Sequence, residues 1–215
     1  MAHAVSRAST RGVVRVAIDG VDGAGKTYFA DELAEALRAS GRTVIRASVD
    51  GFHNPKVIRY RKGRHSPEGF FHDSYDYEQL KAALLDPLSP GGSGQYRVAV
   101  FDHRSDSPAC TPTQAAVSGD ILLFDGIFLH RPELRAYWDY SIFLDVAFAV
   151  SIPRGAQRDD SSPDPEGASN QRYVRGQELY LRSSTPKRFA TVTINNDDLL
   201  SPYILEPEPG AAGNC

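Results

Sequence analysis

The strongest constraint on this chain is a run of eight residues, Gly20-Val21-Asp22-Gly23-Ala24-Gly25-Lys26-Thr27, set between a β-branched segment and an amphipathic one. It satisfies the pattern G-x-x-x-x-G-K-[ST] at every fixed position. Chance would produce such a match in a chain of this length on the order of 1% of the time. The glycines let consecutive backbone N–H groups curl around an anion where a Cβ would block the turn. A helix starting at the lysine points its positive end at the same spot. Lys26 is then placed for the β- and γ-phosphates of a nucleotide, and the Thr27 hydroxyl for Mg²⁺. The expected nucleotide contacts are Gly20, Asp22, Gly23, Ala24, Gly25, Lys26, Thr27 and Tyr28, with ATP and Mg²⁺ as the implied cofactors.

The flanks support this reading. Residues 13–18 (VVRVAI) predict a first, central strand. Phe29, Leu33 and Leu37 recur every four residues among Asp31, Glu32 and Glu35, which predicts an amphipathic helix ended by Ser40-Gly41. Residues 43–49 predict a second strand, parallel to the first because a helix joins them. Further strands are expected over residues 96–101, 121–124, 140–146 and 190–194, and helices over 77–85, 147–159 and 172–182. Residues 51–76 are polar, aromatic and basic without a clean period, and read as a functional insertion. Residues 160–170, polar and interrupted by Pro163 and Pro165, read as a mobile loop. The expected organisation is an N-terminal arm over residues 1–12, one domain over 13–200 with a lid near 154–175, and a disordered tail over 201–215.

Composition narrows the function classes. Lys and Arg total 24 against 27 Asp and Glu, a formal charge of −3. That counts against a general nucleic-acid binder, which carries a basic surplus. Cys110 and Cys215 form no metal-ligand spacing and no disulfide framework. No apolar run approaches the ~20 residues of a membrane span, and the N-terminus lacks the apolar stretch of a secretory signal. A cytoplasmic location, no membrane partner and no nucleic-acid partner are expected; a homo-oligomer is compatible with all of this.

In an open parallel sheet, ligands bind beyond the carboxyl ends of the strands. Asp50 ends the second strand and Asp125 follows the apolar run Ile121-Leu122-Leu123-Phe124, so both fall beside the glycine loop. Phosphoryl transfer needs a proton acceptor for the attacking hydroxyl and oxygen ligands for the metal. Asp50 suits the first task and Asp125 the second, with Thr27, Asp50 and Asp125 as the candidate metal set. The alternatives are a helix N-cap for Asp50 and a turn aspartate for Asp125. Arg154 and Arg158 share a helix face if their segment is helical. On a closing lid they would stabilise charge on the transferred group; otherwise they form a solvated face.

The sequence resembles the uridine kinase-like branch of P-loop kinases, which includes pantothenate kinase and phosphoribulokinase. The likeness rests on AIDGVDGAGKT, Val49-Asp50-Gly51-Phe52-His53, His72-Asp73-Ser74-Tyr75-Asp76, LLFDGIFL around Asp125, Arg154 to Arg158, and Thr193-Ile194-Asn195-Asn196. It implies a three-layer α/β P-loop NTPase fold with a mostly parallel five-stranded sheet, helices on both faces and a lid. It implies Asp50 as general base, Asp73 as a ligand to acceptor hydroxyls, Arg154 and Arg158 as lid arginines, and Asn195 or Asn196 near the adenine. His53, Tyr75, Asp102, His103 and Arg172 complete the expected acceptor pocket. The strand end Phe101-Asp102-His103-Arg104 lacks the tyrosine that uridine kinases place there; for Asp102, His103 and Arg104 a polar turn is the alternative. The expected activity is ATP-dependent phosphorylation of a primary hydroxyl on a small molecule, a nucleoside first, with pantothenate or a sugar as alternatives. A nucleotide-dependent regulator is the weaker rival, because Asn195-Asn196-Asp197-Asp198 lacks the lysine of the guanine-reading N-K-x-D pattern. A nucleic-acid-stimulated ATPase is disfavoured by the charge.

Overall fold

The computed structural model describes residues 1–7, 12–159 and 162–206, with the backbone alone for residues 158 and 159. Its main sheet holds β1 (Val14–Gly20), β2 (Val44–Ser48), β3 (Ile121–Gly126), β4 (Tyr140–Asp145), β5 (Val192–Asn195) and β6 (Tyr203–Ile204). The spatial order is β6-β5-β4-β1-β3-β2. The first five run parallel, and β6 adds antiparallel to β5. The three-layer parallel architecture therefore agrees with expectation, but the sheet has six strands and not five.

β1 is central because every one of its residues is apolar or already hydrogen-bonded, and all seven are buried. Strands covered on both faces read as continuous apolar runs. Alternation sorts the side chains: Val14, Val16 and Ile18 face one layer with Ile121 and Leu123, while Ala17, Leu122 and Phe124 face the other. The first layer is α1 (Ala2–Arg7) and α2 (Lys26–Ala39), which bury Val5, Leu33 and Leu37. The second is an aromatic core of Phe52, Phe70, Phe71, Phe124, Phe128 and Tyr180. It forms where α3 (Pro67–Asp73) packs on α5 (Gln171–Ser184), the helix that follows α4 (Phe148–Asp159).

Three expectations change. Residues 96–101 do not join the main sheet: Gln95–Tyr96 pairs with Gln114–Ala115, and Phe101–Asp102 with Ser107–Pro108, in two small ribbons. The alternating pattern suits a ribbon with one covered face, unlike the unbroken apolar run of β3. The N-terminal arm includes a helix whose Val5 is buried in the core. Tyr203–Ile204, read as tail, forms the sixth strand, whereas residues 207–215 lie outside the described residues. So do residues 160 and 161, which open the expected mobile loop. The helix over 77–85 is α for Tyr77–Leu80 and π for Lys81–Leu85.

Parallel strands put their carboxyl ends at one edge. That edge carries the glycine loop after β1, Asp125 in β3, and a 3-10 turn, Val49–Phe52, after β2. Ser48 caps that turn by accepting from the Asp50 N–H at 3.4 Å, so Asp50 sits in its first turn and is not its cap.

At the opposite edge β1 is anchored by a charge pair. The Arg15 guanidinium reaches both carboxylate oxygens of Asp139 at 3.0 Å, and the pair is largely buried, with side chains 8% and 14% exposed. Asp139→Ala would strand the guanidinium in a desolvated site. The variant should lose about 3 kcal/mol of unfolding free energy, measured by urea denaturation, whereas removal of a solvated ion pair would cost under ~1 kcal/mol.

Candidate active site

The glycine loop forms the expected curl. Gly23 and Gly25 adopt φ of +74° and +87°, a region that side chains rarely enter. At Gly23 the reason is also spatial: a Cβ there would lie 2.0 Å from the carbonyl oxygen of Ser151 in α4. The loop backbone and α4 are thus in direct contact. Lys26 Nζ donates to the Val21 carbonyl at 2.8 Å, inside the curl.

Thr27 and Asp125 come together as expected. The Thr27 hydroxyl donates to Asp125 Oδ2 at 3.0 Å. The other oxygen, Oδ1, accepts from Arg46 at 3.0 Å, and the same guanidinium pairs with Asp31 at 3.0 Å. Arg46 was not singled out from sequence; its place in the middle of β2, beside β3, is what brings it to Asp125. Hydroxyl and carboxylate oxygens are the hard donors that suit Mg²⁺. Among the described residues no cluster of three or more His, Cys, Asp or Glu could hold a metal alone.

Asp50 separates two openings. One, of about 440 Å³, is lined by Thr27, Asp125, Arg46 and Asp31. The other, of about 340 Å³, lies between the loop, α4 and the insertion, and is lined by Asp22, His53, Tyr75, His103, Phe70 and Tyr173 among others. Among the described residues, Asp50 alone lines both. His53 stacks on His103 with centroids 4.6 Å apart, and meets Tyr75 at 4.5 Å. His53 Nδ1 contacts the Asp50 carbonyl oxygen at 3.0 Å, and the Tyr75 hydroxyl donates to Asp50 Oδ1 at 3.5 Å. Burial, with the Asp50 and Asp22 charges, pushes the Tyr75 phenol well above its ordinary value, so it remains a donor.

Other expected residues are placed elsewhere. Asp73 is buried and does not line the cavity; Arg61 donates to its Oδ1 at 2.5 Å and Lys62 lies 3.7 Å from Oδ2. Burial opposes its charge, but these two cations hold its carboxyl below the usual range. Arg172 is also outside: its guanidinium donates to the carbonyls of Arg59, Gly63, Arg64 and Ser66, tying the insertion to α5. Asp102 accepts from Arg104 N and Ser105 Oγ within its own turn, which is the bland alternative. Arg154 donates to the carbonyls of Asn196 (3.2 Å), Asp197 (2.8 Å) and, more weakly, Gly23 (3.5 Å). It therefore clamps the loop after β5 to the glycine loop. Asn196 completes the clamp by donating to the Ala24 carbonyl at 2.8 Å, while Asn195 bonds to Asp197. Tyr28 is exposed. The Arg158 side chain lies outside the described residues.

A buried polar group behind the loop escaped the sequence reading. Asp19, the residue before Gly20, is fully buried; its carboxylate accepts from the Gly20 N–H at 2.7 Å and the Tyr180 hydroxyl, and lies 2.7 Å from His130 Nδ1. The Tyr180 phenol is pushed well above its ordinary value by burial and by Asp19. One turn earlier in α5, Gln177 Oε1 accepts from the Asp22 N–H at 2.5 Å. An acidic residue directly after the apolar run Val16-Ala17-Ile18 is the available signal.

His53 supplies a pH test. Burial lowers its pKa below the ordinary 6.5, aided by the His103 and Arg59 charges and opposed by Asp50. The unfolded chain therefore binds this proton first, and stability falls as pH drops through and below the unfolded value. In His53→Asn, the loss of urea stability between about pH 7 and about pH 5 should be smaller than in the wild type.

Comparison with known proteins places this geometry. A sequence model of the phosphoribulokinase / uridine kinase family matches residues 15–164. A thymidylate kinase of Xylella fastidiosa (strain 9a5c) is 30% identical over 192 residues, covering 86% of this chain and 86% of its own. The structure of a possible uridine kinase from Bacillus stearothermophilus is similar at TM-score 0.70 and 23% identity, covering 89% of this chain and 94% of its own. Phosphoribulokinase from Rhodobacter spheroides is similar at TM-score 0.56 and 14% identity, covering 86% and 71%. With a family model spanning the glycine loop, the β3 carboxylate and α4, the chain belongs to the phosphoribulokinase / uridine kinase family of P-loop kinases.

Proposed function

We propose that this protein transfers the terminal phosphoryl group of ATP to a hydroxyl of an uncharged small molecule, with a nucleoside as the best-fitting acceptor. The observation that carries this reading is the position of Asp50, which lines both the opening beside Thr27 and Asp125 and the ring-lined cavity. A group placed so can take the acceptor's proton on one side while phosphorus is held on the other.

The lining argues for the acceptor class. Among the described residues the cavity carries two carboxylates, Asp22 and Asp50, and no arginine or lysine. Phosphate acceptors are gripped by cationic forks; the nearby guanidiniums of Arg154 and Arg172 are instead committed to backbone carbonyls. A thymidylate-like acceptor, suggested by the Xylella relative, fits this lining less well than a neutral polyol. The rings of Phe70, Tyr75 and Tyr173 and the His53–His103 stack offer flat surfaces to a planar base. A sugar is the second reading, because the Asp50 carboxylate can accept from its hydroxyls.

The chain's own residues divide the work. Loop amides and Lys26 would hold the phosphates, and Thr27 and Asp125 would hold Mg²⁺. ATP supplies the phosphoryl group, and Mg²⁺ neutralises its charge. Asp50 accepts the acceptor's proton as the hydroxyl oxygen bonds to phosphorus and the bond to the bridging oxygen breaks. The Tyr75 hydroxyl orients Asp50.

The test is transfer of label from ATP to a panel of nucleosides, sugars, pantothenate and thymidylate. Transfer to a nucleoside is expected; transfer confined to thymidylate would overturn the reading. Lys26→Ala should remove more than about nine-tenths of turnover, because phosphate charge goes uncompensated. Asp50→Asn should retain ATP binding by calorimetry yet lose roughly 10²–10⁴-fold in kcat. A parallel loss of ATP affinity would assign Asp50 a structural role.

A further inference from the structure

Thr27 and Asp31 lie one helical turn apart on one face of α2, and each bonds to one member of an Arg46–Asp125 pair. The Thr27 hydroxyl donates to Asp125 Oδ2, and the Asp31 carboxylate accepts from Arg46 Nε, each at 3.0 Å. Arg46 Nη1 donates in turn to Asp125 Oδ1 at 3.0 Å and to the Leu123 carbonyl at 2.9 Å. One planar fork is thus pinned to α2 and β3 together, which a single ammonium could not do. All four side chains belong to residues that line the opening of about 440 Å³. β2 is the edge of the sheet, and a charge on an edge strand ordinarily faces solvent to keep other strands away. Here the charge is turned toward the site: the Arg46 side chain is 20% exposed and that of Asp125 5%.

We propose that Arg46 is a positioning residue that sets which divalent ion the site accepts: it reserves Asp125 Oδ1, so that only Oδ2, beside Thr27, is offered to a metal. The proposal rests on the kinase reading above, in which Thr27 and Asp125 would hold Mg²⁺. A guanidinium 3.0 Å from Oδ1 repels a second cation from that oxygen. Ca²⁺ gathers about six to eight oxygens and often takes both oxygens of one carboxylate, whereas Mg²⁺ holds a strict octahedron and keeps several waters. A carboxylate that offers one oxygen therefore serves Mg²⁺ fully and Ca²⁺ poorly. The two ions carry the same charge, so the field of the guanidinium shifts both affinities alike. The ratio of the affinities reports the oxygens that each ion can reach.

The experiment measures, by calorimetry, the affinity of a nonhydrolysable ATP analogue with saturating Mg²⁺, with saturating Ca²⁺ and with neither, for wild type, Arg46→Met and Arg46→Lys. Complexes of ion and analogue in solution are the same for every variant and cancel in the comparison. The wild type should bind more tightly with Mg²⁺ than with Ca²⁺. In Arg46→Met that preference should shrink about threefold or more, the scale of releasing one hydrogen-bonded oxygen. Arg46→Lys keeps the cation and loses the fork, and is read by the same criterion should Arg46→Met fail to fold. A brace that only stiffens the sheet edge would lower stability and leave the preference as it was. An unchanged preference in the folded variant overturns the proposal, as does a wild type that favours Ca²⁺. Wild-type affinity that neither ion alters would remove Thr27 and Asp125 as metal ligands, and a wild type that binds no analogue would sink the kinase reading; both are distinct from a failure at Arg46.

Discussion

Backbone contact between the Gly23 turn and the start of α4 sets the geometry of the site. At that point main chain meets main chain with no room for a side chain on the loop. The contact fixes how far α4 stands from β1, and with it where the cavity opens. Arg154 and Asn196 reinforce it by tying the segment after β5 to the carbonyls of Gly23 and Ala24. Two elements distant in sequence, α4 and the segment after β5, are thus held to the carbonyls of one short loop.

The loop is supported from behind as well. Asp19, His130 and Tyr180 form a buried polar group in the aromatic core, and Gln177 bonds the Asp22 amide. α5 therefore grips both ends of the curl's first half. A buried carboxylate is tolerated only where donors surround it, and here the Gly20 amide, a phenol and an imidazole do so. Those donors come from β1, the segment after β3, and α5, so the curl is referenced to the sheet and to the second layer at once.

Charge is distributed unevenly around the site. Among the described arginine side chains, Arg172 fastens the insertion, Arg154 clamps the loops and Arg46 holds Asp125. The ring-lined cavity keeps carboxylates and imidazoles instead. An arginine can satisfy several carbonyls with one planar fork, which explains why such residues are useful braces in a fold whose loops carry many unpaired backbone acceptors.

Much of the fold and part of the site are legible in the order of residues. The glycine loop is readable because its residue types are dictated locally: positive φ demands glycine, and the lysine and threonine follow at fixed steps. The five parallel strands are readable from apolar runs, and Asp50 and Asp125 from their places at strand ends. Other features depend on contacts between residues far apart, which no local pattern records. Asp73 and Arg172 match a motif and a helix face, yet one is held by Arg61 and Lys62 and the other by four carbonyls of the insertion. The Asp19–His130–Tyr180 group joins positions up to 161 residues apart. Sequence alone determined the anion-gripping turn and the sheet that carries it, since both follow from backbone sterics and local periodicity. Tertiary structure decided which charges face the cavity and which serve as braces, because that choice turns on the competition of long-range partners for each side chain.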